Sequence, residues 1–307
     1  MLKTQIFFTK PSSTRALLTA VIATIISVIF VALAACSPKN QGRLEKVDSY
    51  PDLHGLAVRP DGDLFITTHD GLLLLKDDSE LYRVGKEKGD LMGFVMNPRN
   101  PDQVYASGHP ASGGNLGVIA SQDGGVTWSR IYKNIGRDAV DFHAMAIGLA
   151  DSRVIYGWYE DKLYRTDDSG HNWKFAGAKG LSGVVTLATS PYNSETVFAG
   201  TVNGLFVSRD KGETWSAMAP LGFVGGIALD YRNEKVMYIF SEQYGMSRSA
   251  DSGESWHSIN NGLALGLREV ILYLAIHPKD SRVLYVGTTQ NRLLKTDNSG
   301  QSWKRIR

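Results

Sequence analysis

Three short segments set an acid two residues before a side chain that can bind metal: Asp52-Leu-His54, Asp90-Leu-Met92 and Asp141-Phe-His143. Two further histidines, His69 and His109, follow the first two segments, so the set holds four of the chain's seven histidines. Imidazole with carboxylate suits a divalent or transition ion, and a thioether such as Met92 makes copper conceivable. Paired carboxylates cleave glycosides, and histidine moves protons in hydrolysis generally. The same residue types also do plain structural work: an Asp caps the start of a strand, and a His fills a half-buried polar position. Capping, metal binding and acid/base chemistry all stay open at this point.

What could bring these segments together is a repeat. Five octapeptides superimpose on Ser/Thr-x-Asp-x-Gly-x-Thr/Ser-Trp, with Asp123, Asp168, Asp210, Asp251 and Asn298 at the third position. Trp128, Trp173, Trp215, Trp256 and Trp303 close them, spaced 45, 42, 41 and 47 residues apart. Two slots depart from the template: Asn172 replaces Thr or Ser, and Asn298 replaces Asp. The Asp and Ser/Thr side chains can accept bonds from backbone N–H groups two or three residues on, and the Gly tolerates a positive φ. Each octapeptide therefore predicts a stapled turn, with the Trp opening the next strand and packing into the sheet.

The flanks repeat as well. Apolar and β-branched runs end at Pro turns, as in Leu91–Pro98, Val184–Pro191 and Leu272–Pro278, and two further short runs follow each. Four strands every ~44 residues make a propeller blade. Residues 53–84 carry the strands without the octapeptide, so the expected fold is an all-β, six-bladed β-propeller over 45–307. The blades fall near 53–84, 91–132, 142–176, 183–218, 223–259 and 270–306, residues 44–49 are placed to add an outer strand where the ring closes, and a seventh blade is disfavoured.

Alignment of the first strands makes His54, Met92 and His143 equivalent. His69 and His109 end the second strands of the first two blades. Antiparallel first and second strands start and end on the same side. All four histidines, with Asp52, Asp90 and Asp141, are thus expected at one mouth of the channel over three adjacent blades. The octapeptide turns belong to the opposite face, as do His171 and His277. Trp158, Tyr159, Glu160 and Asp161 form the corresponding turn of blade 3 and are expected to make a sugar- or protein-binding rim.

The N-terminal segment carries Lys3, Lys10 and Arg15, then an apolar run over 16–35, then Leu33-Ala34-Ala35-Cys36, which holds the only cysteine. These are the marks of an export signal. The segment resembles a bacterial lipoprotein signal, which implies a signal peptide at 1–35, lipidation of Cys36 and a tether over 36–44. An uncleaved membrane anchor is the alternative, and both put the propeller outside the cytoplasm. The resemblance leaves open which membrane carries the chain, cell or outer. With 33 Lys and Arg against 31 Asp and Glu and no basic block, nucleic acid is not an implied partner. No phosphate loop, dinucleotide motif or paired-cysteine zinc pattern occurs.

Across residues 50–307 the boxes and the His-Gly-Leu-Ala, Thr-His-Asp-Gly-Leu, Asp-Leu-Met-Gly-Phe, Ser-Gly-His-Pro and Asp-Phe-His-Ala segments resemble the Asp-box (BNR-repeat) propeller lipoproteins labelled glycosyl-hydrolase-like. More distantly the chain is similar to sortilin and photosystem II assembly propellers, which are binding proteins. The Phe/Tyr-Arg-Ile-Pro segment of bacterial sialidases is missing, so sialidase activity is not expected. The resemblance transfers no catalytic pair. The expected function is a membrane-anchored, monomeric binding or assembly module with an envelope protein or glycan as partner and a metal at the His/Asp face. The alternative is a hydrolase of glycosidase type acting on envelope or extracellular glycans.

Overall fold

The computed structural model describes residues 44–135 and 138–307. Cys36, the signal sequence and most of the tether lie outside these residues. Among the described residues the strands form six antiparallel sheets, spanning 55–84, 90–132, 144–177, 184–219, 224–258 and 271–305, and one two-stranded ribbon, Asn134–Ile135 with Asp138–Ala139. Each sheet is one blade of four strands in chain order, and Leu44–Lys46 adds a fifth to the outer edge of blade 1. The innermost strands, Gly55–Val58, Asp90–Met96, Ala144–Ile147, Val184–Thr189, Val224–Leu229 and Ile271–His277, contact one another in a closed ring. The chain is a six-bladed β-propeller.

Blades are held by apolar layers between neighbouring sheets. One such layer packs Phe65, Leu72 and Leu74 of blade 1 on Leu91, Val104 and Ile119 of blade 2. The octapeptide turns join the blades too. Their glycines Gly125, Gly170, Gly212, Gly253 and Gly300 have φ between 83° and 92°. A Cβ there would meet Leu72, Ile131, Leu163, Met218 or Ile259 at 2.2–2.7 Å, and each of these belongs to the preceding blade. Glycine is required both by the left-handed backbone and by the close approach.

Within each turn the staple runs two and four residues forward, not two and three. The Asp210 carboxylate accepts from Ser208 Oγ at 2.7 Å, from Thr214 N at 2.9 Å and from Thr214 Oγ1 at 2.5 Å. Ser208 Oγ in turn accepts from Asp210 N at 3.4 Å and from Gly212 N at 2.8 Å. Both departures from the template keep the network. Asn172 Nδ2 donates to Asp168, and Asn298 Nδ2 donates to Ser302 Oγ while its Oδ1 accepts from Ser302 N. The fourth strand starts one residue after each Trp. Trp173 lies against Phe142, with ring centres 4.7 Å apart, and Trp215 and Trp303 are buried.

The ring closes between blades 6 and 1 through two polar clasps. Asp78 takes the Tyr285 hydroxyl at 2.9 Å and the Lys295 ammonium at 2.8 Å. Asn291, with φ 58°, accepts from Leu53 N and donates to Pro51 O at 2.9 Å and Asp52 Oδ1 at 3.0 Å.

Candidate functional site

In four of the six blades the backbone displaces one residue toward the mouth by a recurring device. The pairing of first and second strands slips between Leu91 and Gly93, between Val184 and Thr186, between Val224 and Ile227, and between Ile271 and Tyr273. Such a bulge turns one side chain out of the ladder. The residues so displaced, Met92, Val185 and Leu272, line one cavity of about 130 Å³ together with His54 and His143. Below it the channel wall is apolar, with Leu56, Phe94, Met145, Leu187, Ile227 and Leu274. The far opening is rimmed by Pro60, Pro98, Pro191 and Pro278 with Arg99 and Lys279.

The seven predicted polar residues do meet at this mouth, but as two clusters, each bridging a blade boundary. Between blades 1 and 2, His54 Nδ1 donates to Asp90 Oδ1 at 2.8 Å, and His69 Nε2 lies 3.4 Å from Asp90 Oδ2. His69 Nδ1 is 2.9 Å from Asp52 Oδ2, and the His54 and His69 rings stand edge to face with centres 4.2 Å apart. Between blades 2 and 3, both His109 Nε2, at 3.1 Å, and His143 Nε2, at 2.6 Å, converge on Asp141 Oδ2. His109 Nδ1 donates to the Gly114 carbonyl at 3.1 Å, since a carbonyl only accepts. Asp141 Oδ1 is buried without a hydrogen-bond partner among the described residues.

The electrostatics differ between the clusters. Burial pushes His54 below the usual imidazole range, and Asp90 opposes this only in part. The hydrogen bond to Asp141 pulls His143 upward. A bond from Asn291 holds Asp52 below the usual carboxylate range. Each cluster supplies two imidazoles and one carboxylate with ligand atoms within 4.8 Å of one another, a donor set that suits a borderline divalent ion.

One rule covers three successive boundaries. The end of the second strand of one blade, or the turn just after it, reaches the Asp at the entry to the next blade's first strand: Asn291 to Asp52, His69 to Asp90, His109 to Asp141. Aligning those turns in the sequence would have found Asn291; the bulges leave no comparable signal. Two expectations need correction or placing. Trp158 is buried in the blade 3–4 layer and cannot form a rim, while Tyr159 packs edge-on against Phe142. His171 is exposed in its turn, and His277 Nδ1 accepts from Lys279 N and Asp280 N, so both serve the structural side as anticipated.

Blades 4–6 give this mouth face a different character. Val202 and Tyr244 sit in the turns after their second strands, and Leu267 lies in the connection entering blade 6; all three are exposed, Leu267 by 90%. A buried ion pair stands beside them. Burial alone would raise Glu269, but bonds from Arg292, Thr288 and Gly266 N outweigh it and bring the carboxyl to about 2.

Comparison with known proteins places the fold and no more. The chain matches no protein-family model and no curated protein. Among solved structures it is similar to a GH74 xyloglucanase from Xanthomonas campestris, at 17% identity and TM-score 0.58, over 86% of this chain and 46% of that one. It is also similar to the extracellular domain of a proposed one-component system of B. thetaiotaomicron, at 14% identity and TM-score 0.55, over 87% of this chain and 35% of that one. YCF48 from Cyanidioschyzon merolae matches at 15% identity and TM-score 0.50, over 86% and 88%. The chain spans less than half the length of the first two.

Proposed function

We propose that this propeller is an extracytoplasmic binding module, tethered through lipid on Cys36, that recognises an envelope protein or glycan with its histidine mouth. The observation that carries the reading is the division of that face. Blades 1–3 present imidazoles and carboxylates, while blades 4–6 present exposed apolar side chains. A face with polar groups on one side and apolar groups on the other offers both kinds of contact that recognition surfaces use. Lipidation rests on the Leu33-Ala34-Ala35-Cys36 segment.

The xyloglucanase likeness raises glycoside cleavage as the second reading. That chemistry needs one protonated and one ionised carboxyl facing each other across the sugar. Here Asp90 and Asp141 each lie between two imidazoles, and Asp52 is held ionised by Asn291. The carboxylates of the mouth are committed to partners, which favours binding over turnover.

Photo-crosslinking amino acids placed at Val202 and Tyr244, and at Glu213 on the opposite face, test this in cells. Discrete adducts from the mouth positions alone are expected, with no release of reducing ends from xyloglucan or envelope polysaccharides. Glycan cleavage abolished by Asp90→Asn or Asp141→Asn would replace binding with hydrolysis.

A further inference from the structure

We infer that the histidine mouth holds two divalent transition-metal ions, one at His54/His69/Asp90 and one at His109/Asp141/His143, each bridging two blades. The inference rests on the binding reading only in taking this mouth as the ligand face.

The argument starts from hydrogen-bond capacity. A neutral imidazole has one N–H and one lone pair, while carboxylate and carbonyl oxygens only accept. His109 gives its Nδ1 proton to the Gly114 carbonyl, so a neutral ring aims its Nε2 lone pair at Asp141 Oδ2, 3.1 Å away. His69 repeats the pattern: Nδ1 faces the Asp52 carboxylate at 2.9 Å and Nε2 faces Asp90 Oδ2 at 3.4 Å. Each of these histidines thus stands between two acceptors, and either a second proton or a metal cation on the Nε2 side satisfies both, so the arrangement is one that presents Nε2 to a cation. An imidazole oriented through its other nitrogen by a carboxylate or carbonyl is how proteins present histidine to a metal.

The second cluster adds an independent sign. Both imidazoles converge on Asp141 Oδ2, while Oδ1, on a side chain nine-tenths buried, has no partner among the described residues. A bound ion accounts for this: Oδ2 ligates it and Oδ1 is free to approach as a second ligand atom. Tetrahedral ligands with bonds near 2.0–2.1 Å lie about 3.3 Å apart, so the ion enters with ring movements of about 1 Å or less. Two imidazoles and one carboxylate select zinc, copper or nickel over calcium and magnesium.

The test uses the purified full chain, stripped with chelator and dialysed against Zn²⁺ alone, with bound metal counted by mass spectrometry. Two Zn²⁺ per chain are expected. The melting temperature should rise by more than 5 °C with Zn²⁺ and stay unchanged with Mg²⁺ or Ca²⁺, because ions that bridge blades stabilise the folded ring. His69→Ala and His109→Ala should each retain one ion, and the double variant none; His→Gln versions and circular dichroism control for folding. No bound Zn²⁺, a single ion, or two ions indifferent to both substitutions would overturn the inference. Crosslinks at Val202 and Tyr244 that persist without metal would leave the binding reading standing, so the two fail separately.

Discussion

The two ends of the propeller are built on opposite principles. At the end carrying the octapeptide turns, five copies repeat one hydrogen-bond network, and the Asp, the hydroxyls and the backbone N–H groups satisfy one another within eight residues. Even the substitutions Asn172 and Asn298 preserve it. At the histidine end a backbone bulge recurs in four of the six blades, yet the side chains it displays change from blade to blade. There Asp141 Oδ1 is buried without a partner among the described residues, while both neighbouring imidazoles crowd onto Oδ2. Repetition of one side-chain-to-backbone network, copy after copy, is architecture. Repetition of the frame with variable, incompletely satisfied side chains is where a fold offers a site.

The largest break in this contrast should come from the architectural end. Gly212 combines φ 92° with a 2.3 Å approach to Leu163. Gly212→Ala adds left-handed strain to overpacking between blades and should cost roughly 3 kcal/mol in chemical denaturation. A loss under about 1 kcal/mol would show that the turn does not bear on the neighbouring blade.

A middle-sized effect comes from the boundary where the two principles meet. Asn291, His69 and His109 occupy corresponding positions at or just after the ends of second strands, but an amide carries a donor and an acceptor whatever the pH. Asn291 is therefore a complete latch, with bonds to Leu53 N, Pro51 O and Asp52. Asn291→Ala should cost about 2 kcal/mol, with or without metal, through lost bonds at the ring closure. Metal dependence of that loss would mean that Asn291 belongs to the site and not to the frame.

Much of the frame was legible because it is periodic. The Trp spacing and the Pro-ended strand runs locate all six blades to within a few residues, including blade 1, which has no octapeptide. The outer strand at Leu44–Lys46 followed from the same reasoning. The mouth was legible in composition but not in grouping. Alignment put His54, Met92 and His143 at one level, and all three do line one cavity. That His54 pairs across to Asp90 and His109 across to Asp141 depends on how neighbouring blades sit against each other, which leaves no residue signature. Trp158 misled for a related reason: strand alternation near a turn does not reveal which face the adjacent blade will cover. The Glu269–Arg292 pair joins a connection to a turn 23 residues on, beyond any local pattern.

The smallest effect probes the chain's own natural variation in the architectural turns. Blade 6 carries Asn298 where blades 2–5 carry Asp, with the same geometry and no charge. Bonds to an ionised acceptor are stronger than neutral ones. Hydrogen bonds from Thr214, then Ser208, hold Asp210 down at about 2, against an ordinary value of 3.8. A depressed folded value contributes stability that is complete above the unfolded value and disappears as pH falls through the folded one. Asp210→Asn should therefore cost about 1 kcal/mol at pH 7, a figure kept low because the turn is solvent-exposed and screened. The difference from the unaltered chain should shrink between pH 4 and pH 2 and vanish below it, as read from urea denaturation at each pH. A cost that stays constant across this range would assign the effect to shape, and the asparagine of blade 6 would then be a packing variant, not a neutral copy of a charged staple.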